Sequence, residues 1–209
     1  MSDKKIIVSA IVLSLLLIGG AWYYSNQTPT ASISSALSPS PVASEDGIMI
    51  GSADAPVTIE EYTNFLCPAC ARFAASTMDS IKEDYIKSGQ VRLVIYVFPP
   101  YELGEAALCA VEQNKFIEFH DYFFANQSAI TQESDIKDMA VNAGLDGAEF
   151  NICYDSGKYQ DKVKKWSEQG TAKGVDATPT FFINGQKIIG AQSYAEFKKV
   201  IDQKLNSAQ

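Results

Sequence analysis

Histidine is almost missing from this chain of 209 residues: His120 stands alone, beside four cysteines. Structural zinc sites usually need two close pairs of Cys or His ligands. Only Cys67 and Cys70 form a close pair, because Cys109 and Cys153 are isolated, so no metal site is expected. Basic residues are also scarce, with 17 Lys and Arg against 25 Asp and Glu and a net charge of −8. That balance leaves no basic footprint for nucleic acid. No Lys or Arg occurs between Lys5 and Arg72, and no cysteine follows the first apolar run before Cys67. The second absence excludes the commonest bacterial lipid anchor. No internal repeat is visible, and Gly47 to Gln209 has the size of one ordinary domain.

The apolar run follows the two lysines of residues 1–5 and spans residues 6–24, from Ile6 to the aromatic end Trp22-Tyr23-Tyr24. At ~1.5 Å per residue a helix of this length crosses a hydrocarbon core, with the aromatics at the outer interface. The one-sided lysines predict an inside N-terminus, a single-pass signal anchor and a catalytic domain outside the cytoplasm. The alternative is a cleaved signal peptide, because Gly19-x-Ala21 has the small-x-small form of a processing site. Residues 25–46 are small, polar and proline-punctuated, the composition of a flexible linker with a span of roughly 25 Å.

Cys67-Pro68-Ala69-Cys70 follows the strand-like run Val57–Thr63 and opens a helical pattern. A cysteine at a helix N-terminus meets unpaired backbone N–H groups and the positive end of the macrodipole, which favour thiolate over thiol. Cys67 is therefore the expected nucleophile and Cys70, one turn further in, its more buried partner. Pro68 falls where a fixed φ helps and a missing N–H costs nothing. A purely structural disulfide at this spacing would close too short a loop to stabilise much.

Val57–Thr63 and residues 91–98 are β-branched runs of the buried-strand type. Between them Ala74, Met78, Ile81 and Tyr85 recur at helical spacing, and Gly89 stops the helix. From about residue 102 to 170 the pattern is helical, with breaks near Asn114, Asn126, Gly144, Gly147 and Gly157. Residues 180–183, the turn Asn184-Gly185 and residues 187–189 read as a hairpin, and Ser193 as the N-cap of a last helix. This order predicts an α/β thioredoxin fold with an inserted helical subdomain. His120, among Phe116, Phe119, Phe123 and Phe124, reads as a packed helix residue.

The chain resembles the DsbA-like thiol:disulfide oxidoreductases. The likeness lies in residues 55–62 before the CxxC and in Gly174-Val175-Asp176-Ala177-Thr178-Pro179-Thr180-Phe181-Phe182-Ile183-Asn184-Gly185. It implies a cis Pro179 beside the cysteines, and a Thr178 backbone that takes an extended substrate segment by strand addition. It also implies that Glu61 is a buried acid that moves protons during exchange. The competing reading of Glu61 is that it and Glu60 merely flank a strand end, on opposite faces. A subset of the family bonds cysteines placed like Cys109 and Cys153, which would stabilise by roughly 4 kcal/mol; the alternative is two buried thiols. Ala69 stands where some members have a histidine, so the Cys67 thiolate lacks a positive side-chain partner and the disulfide is expected to oxidise less strongly than the strongest members.

The resemblance implies an oxidoreductase that gives the Cys67–Cys70 disulfide to exported proteins with thiols and is reoxidised by a quinone-linked membrane partner. A reductase or isomerase of the same fold is the alternative, and a non-catalytic binding module a third. No metal or organic cofactor is implied.

Overall fold

The computed structural model describes residues 40–44 and 46–207. The expected n-region 1–5, the transmembrane segment 6–24 and most of the 25–46 linker lie outside the described residues. Among the described residues no helix is long and apolar enough to cross a membrane.

Val57–Thr63 forms the central strand β3, preceded by β1 (Val42–Ser44) and β2 (Gly47–Ile50) and followed by β4 (Val91–Val97), β5 (Thr180–Ile183) and β6 (Gln186–Ile189). The sheet order is β1-β2-β4-β3-β5-β6; β3 and β4 are parallel and every other neighbouring pair is antiparallel. Parallel strands need a crossover, and α1 (Pro68–Ile81), prolonged by a wider turn at Lys82–Ile86, supplies it. Its stripe of Ala74, Met78, Ile81 and Tyr85 is buried. The turn between β5 and β6 places Asn184 and Gly185 at φ 43° and 83°, which suits this Asn-Gly pair.

Residues 42–44, assigned to the linker from their composition, are instead an edge strand, with Val42 opposite Met49. β2, which no sequence signal marked, adds antiparallel to β4 with Ile48 opposite Ile95. Both strands are short, and the sheet they join holds them.

Successive residues of a strand point to opposite faces, which sorts the two helical layers. On one face Phe181 of β5 meets Phe73 of α1 and Phe197 of α7 (Tyr194–Ser207) at ring centroids of 4.5 and 4.8 Å. On the other, Tyr62 stacks on Tyr96 at 4.6 Å, with Phe182 and Phe98 edge-on and Trp166 against Tyr96. Truncating a fully buried ring such as Phe73 to alanine costs about 3–5 kcal/mol.

The helical insertion comprises α2 (Tyr101–Glu112), α3 (Phe116–Ala125), α4 (Glu133–Asn142), α5 (Gly147–Asp155) and α6 (Gln160–Ala172), which carries Trp166. Asn114, Gly144 and Gly157 have positive φ between these helices. Gly147 is not a break: it opens α5, whose N-cap Asp146 accepts from the N–H groups of Ala148 and Glu149. Cys109 of α2 and Cys153 of α5 are joined by a disulfide.

Candidate active site

β3 delivers the chain to the site through a loop fixed at several points. Asn64 accepts from the N–H of Leu66 at 2.6 Å, and its carbonyl accepts from the N–H of Cys67 at 3.0 Å. Phe65 is fully buried in the insertion, packed on Phe119, Phe123, Phe124 and His120. From the same side Gln127 Nε2 donates to the carbonyls of Phe65 and Cys67, at 2.6 and 3.0 Å. Gln127 was invisible as a site residue in sequence, because its partners are backbone atoms some 60 positions away.

Cys67 is the N-cap of α1, with Pro68 in its first turn. Its Sγ accepts from the N–H of Cys70 at 3.4 Å, satisfying one of the free donors at the helix start. Thr178 closes the other side: its carbonyl accepts from the Cys67 thiol at 3.2 Å, and the Thr178–Pro179 bond is cis. Cys67 is partly exposed and Cys70 fully buried, both as free thiols.

Burial and hydrogen bonding pull the two sulfurs apart in acidity. Burial works against a Cys67 thiolate, but the Thr178 side chain, the Cys70 thiol and the N–H groups of Cys70 and Ala69 outweigh it, and its pKa falls below the ordinary value. Burial pushes the Cys70 thiol up to about 12. At neutral pH the pair therefore presents one activated, reachable sulfur and one protonated, sheltered sulfur.

Glu61 lies opposite Phe181, so it points to the α1 face of the sheet. It is 1 % exposed, and burial, partly offset by the neighbouring Thr63 hydroxyl, pushes its carboxyl up to about 8. Its Oε2 has no hydrogen-bond partner. Glu60 faces the other way and is ion-paired with Lys173. The two glutamates differ in burial and partner.

His120 lies outside this arrangement. It is fully buried in the aromatic cluster, its Nδ1 is 2.8 Å from Asp121 Oδ1, and burial holds its pKa below the ordinary value. Among the described residues no group of three or more His, Cys, Asp or Glu side chains is arranged to hold a metal ion.

Residues 43–203 match the thioredoxin family model. A relative named probable disulfide bond formation protein D, from Bacillus anthracis, is 29 % identical over 169 residues, covering 75 % of this chain and 77 % of its own. Among solved structures, oxidised BdbD from Bacillus subtilis superposes with a TM-score of 0.68 at 25 % identity, over 81 % of this chain and 97 % of its own. Wolbachia pipientis alpha-DsbA1, at 24 % identity and a TM-score of 0.69 over 77 % of this chain and 91 % of its own, shares the fold. An N-capping Cys67 above a buried Cys70, closed by a cis-proline turn, agrees with these matches: the chain belongs to the thioredoxin family and is a DsbA-like thiol:disulfide oxidoreductase.

Proposed function

We propose that the protein donates the Cys67–Cys70 disulfide to proteins outside the cytoplasm. The observation that carries this reading is the Cys67 sulfur at the helix start, whose hydrogen bonds favour its thiolate in the reduced form, beside a Cys70 thiol that stays protonated. Whatever stabilises the reduced form makes the disulfide a stronger oxidant, and a low-pKa sulfur is the better leaving group.

Exchange then runs in two steps. A client thiolate attacks Cys67 Sγ, the Cys67–Cys70 bond breaks, and Cys70 leaves as a sulfur that must gain a proton. We assign its delivery to Glu61, a buried acid on the α1 face of the sheet whose carboxyl stays protonated up to about 8. The client's second thiolate attacks its own sulfur in the mixed disulfide and releases Cys67 as the stabilised thiolate. Two electrons pass from client to enzyme; the client gains a disulfide and the enzyme becomes a dithiol. The main chain at Thr178-Pro179 is where an extended client segment would pair.

Reoxidation requires an electron acceptor, and a quinone-linked membrane oxidase fits a catalytic head tethered by residues 6–24. Single-turnover mixing tests the direction: oxidised protein is mixed with a reduced dithiol client and no other oxidant. One client disulfide formed per protein supports the reading. If the client stays reduced while the reduced protein readily opens client disulfides, the protein is a reductase.

A further inference from the structure

Three buried groups able to hold a proton gather where β3 meets the start of α1: Glu61, Thr63 and Cys70. Residues two apart on a strand share a face, so Glu61 and Thr63 both point to the α1 side. Tyr62, between them, turns the other way and stacks on Tyr96. Thr63 is the last residue of β3, one step nearer than Glu61 to the redox loop.

A threonine at this position needs a reason. Its side chain is fully buried, and no close bond to the backbone ties the hydroxyl down. Valine has the same shape, suits a strand as well and buries no polar atom. The hydroxyl is explained by its two side-chain neighbours. It is the group that hydrogen-bonds the Glu61 carboxyl, and it also bonds the Cys70 sulfur. The Asn64 N–H and Thr178 reach that sulfur too, but Thr63 alone bonds both.

A hydroxyl has one hydrogen to give and can accept another. It cannot donate to a Glu61 carboxylate and a Cys70 thiolate at once. A charge on one side turns the hydrogen that way and calls for a proton on the other.

We propose that the Thr63 hydroxyl relays the proton between Glu61 and Cys70. In the donor direction the S–S bond breaks and its electron pair leaves with Cys70 Sγ. Thr63 gives its hydrogen to that sulfur while the Glu61 carboxyl hydrogen moves to Thr63 Oγ1. Cys70 ends as a thiol, Thr63 is unchanged, and Glu61 ends as a carboxylate that regains its proton from solvent. The carboxyl is the stronger acid of the pair, so the proton runs downhill to the sulfur. The inference rests on the disulfide-exchange reading of Cys67 and Cys70 and adds the path of its proton.

The test mixes the reduced full chain with oxidised glutathione and stops the reaction in acid at intervals. Cys67 first forms a mixed disulfide with glutathione; Cys70 then gives up its proton, by the same path in reverse, and displaces the second glutathione. Mass spectrometry separates the two rates, and the ratio of the Cys70 step to the Cys67 step is the readout. Any direction of exchange with clients uses the Cys70 step, so this ratio judges the relay while single-turnover mixing judges donation. In Thr63→Val the ratio should fall roughly ten- to a hundredfold. Thr63→Ser restores a hydroxyl and should stay within about threefold of the wild type. Glu61→Gln should slow the Cys70 step in the wild type but add nothing in Thr63→Val, because groups that act as a unit are not additive. A ratio unchanged in Thr63→Val would give the proton to water or to direct transfer and overturn the relay. An equal loss in Thr63→Ser, which would make Thr63 a packing residue, or a full further loss on adding Glu61→Gln to Thr63→Val, would overturn it as well.

Discussion

Thr178 and Cys67 are 111 residues apart in the chain, yet the carbonyl oxygen of one lies 3.2 Å from the sulfur of the other. The cis-proline turn is thus one wall of the nucleophile's pocket, and the Thr178 side chain also helps hold down the Cys67 pKa. Thr178→Val keeps the carbonyl and loses the hydroxyl. Its thiolate absorbance near 240 nm should titrate at higher pH than in the wild type, and its disulfide should oxidise less strongly. An unchanged titration would mean that the backbone N–H groups alone set the Cys67 acidity.

Glu61 ties stability to pH. Its carboxyl titrates near 8 in the folded chain against an ordinary 4.5. Between those values the folded state holds one proton more than the unfolded state, so stability falls as pH rises from about 4.5 to about 8. The loss is on the order of 4 kcal/mol over that window. Urea midpoints of the reduced protein at pH 5 and 8.5 should show it, and Glu61→Gln should flatten the dependence while being the more stable protein at pH 8.5. A wild type whose stability does not fall over this window would contradict the burial assigned to Glu61.

Much of this arrangement was legible in sequence, for local reasons. Cys67-Pro68 is a helix start, Asn184-Gly185 a hairpin turn, and the helical stripe from Ala74 to Tyr85 a buried face; each signal lies within a few residues. Val42–Ser44 looked like linker because a three-residue edge strand carries no periodicity of its own and exists only against β2. Alternation separated Glu60 from Glu61 but could not say which faced α1. That depended on β5 pairing Glu61 with Phe181. Gln127 reaches the redox loop through tertiary packing alone.

The Cys109–Cys153 bond spans 44 positions and ties α2 to α5, away from the redox pair. Replacing both cysteines by alanine should lower unfolding free energy by about 4 kcal/mol in the chain-entropy account, with thiol–disulfide exchange at Cys67 retained. Denaturant unfolding of the double variant measures the first and single-turnover exchange the second.

Gly170 of α6 faces Tyr62 and Phe98 so closely that an added Cβ would lie 2.7 Å from both rings. Gly170→Ala should destabilise by about 1–3 kcal/mol despite its better helix propensity, because neither ring can yield without disturbing the stack behind β3. Thermal unfolding decides this, and a more stable variant would show that α6 can shift.

Disulfide donation is tested most directly by the reduction potential of the Cys67–Cys70 pair, measured by equilibrating the full chain with glutathione buffers. The hydrogen bonds that favour the Cys67 thiolate stabilise the reduced form, and Ala69 supplies no positive side chain. The expected value therefore lies between about −180 and −120 mV. A value near ~−270 mV would place the protein among the reductants and contradict the donor reading.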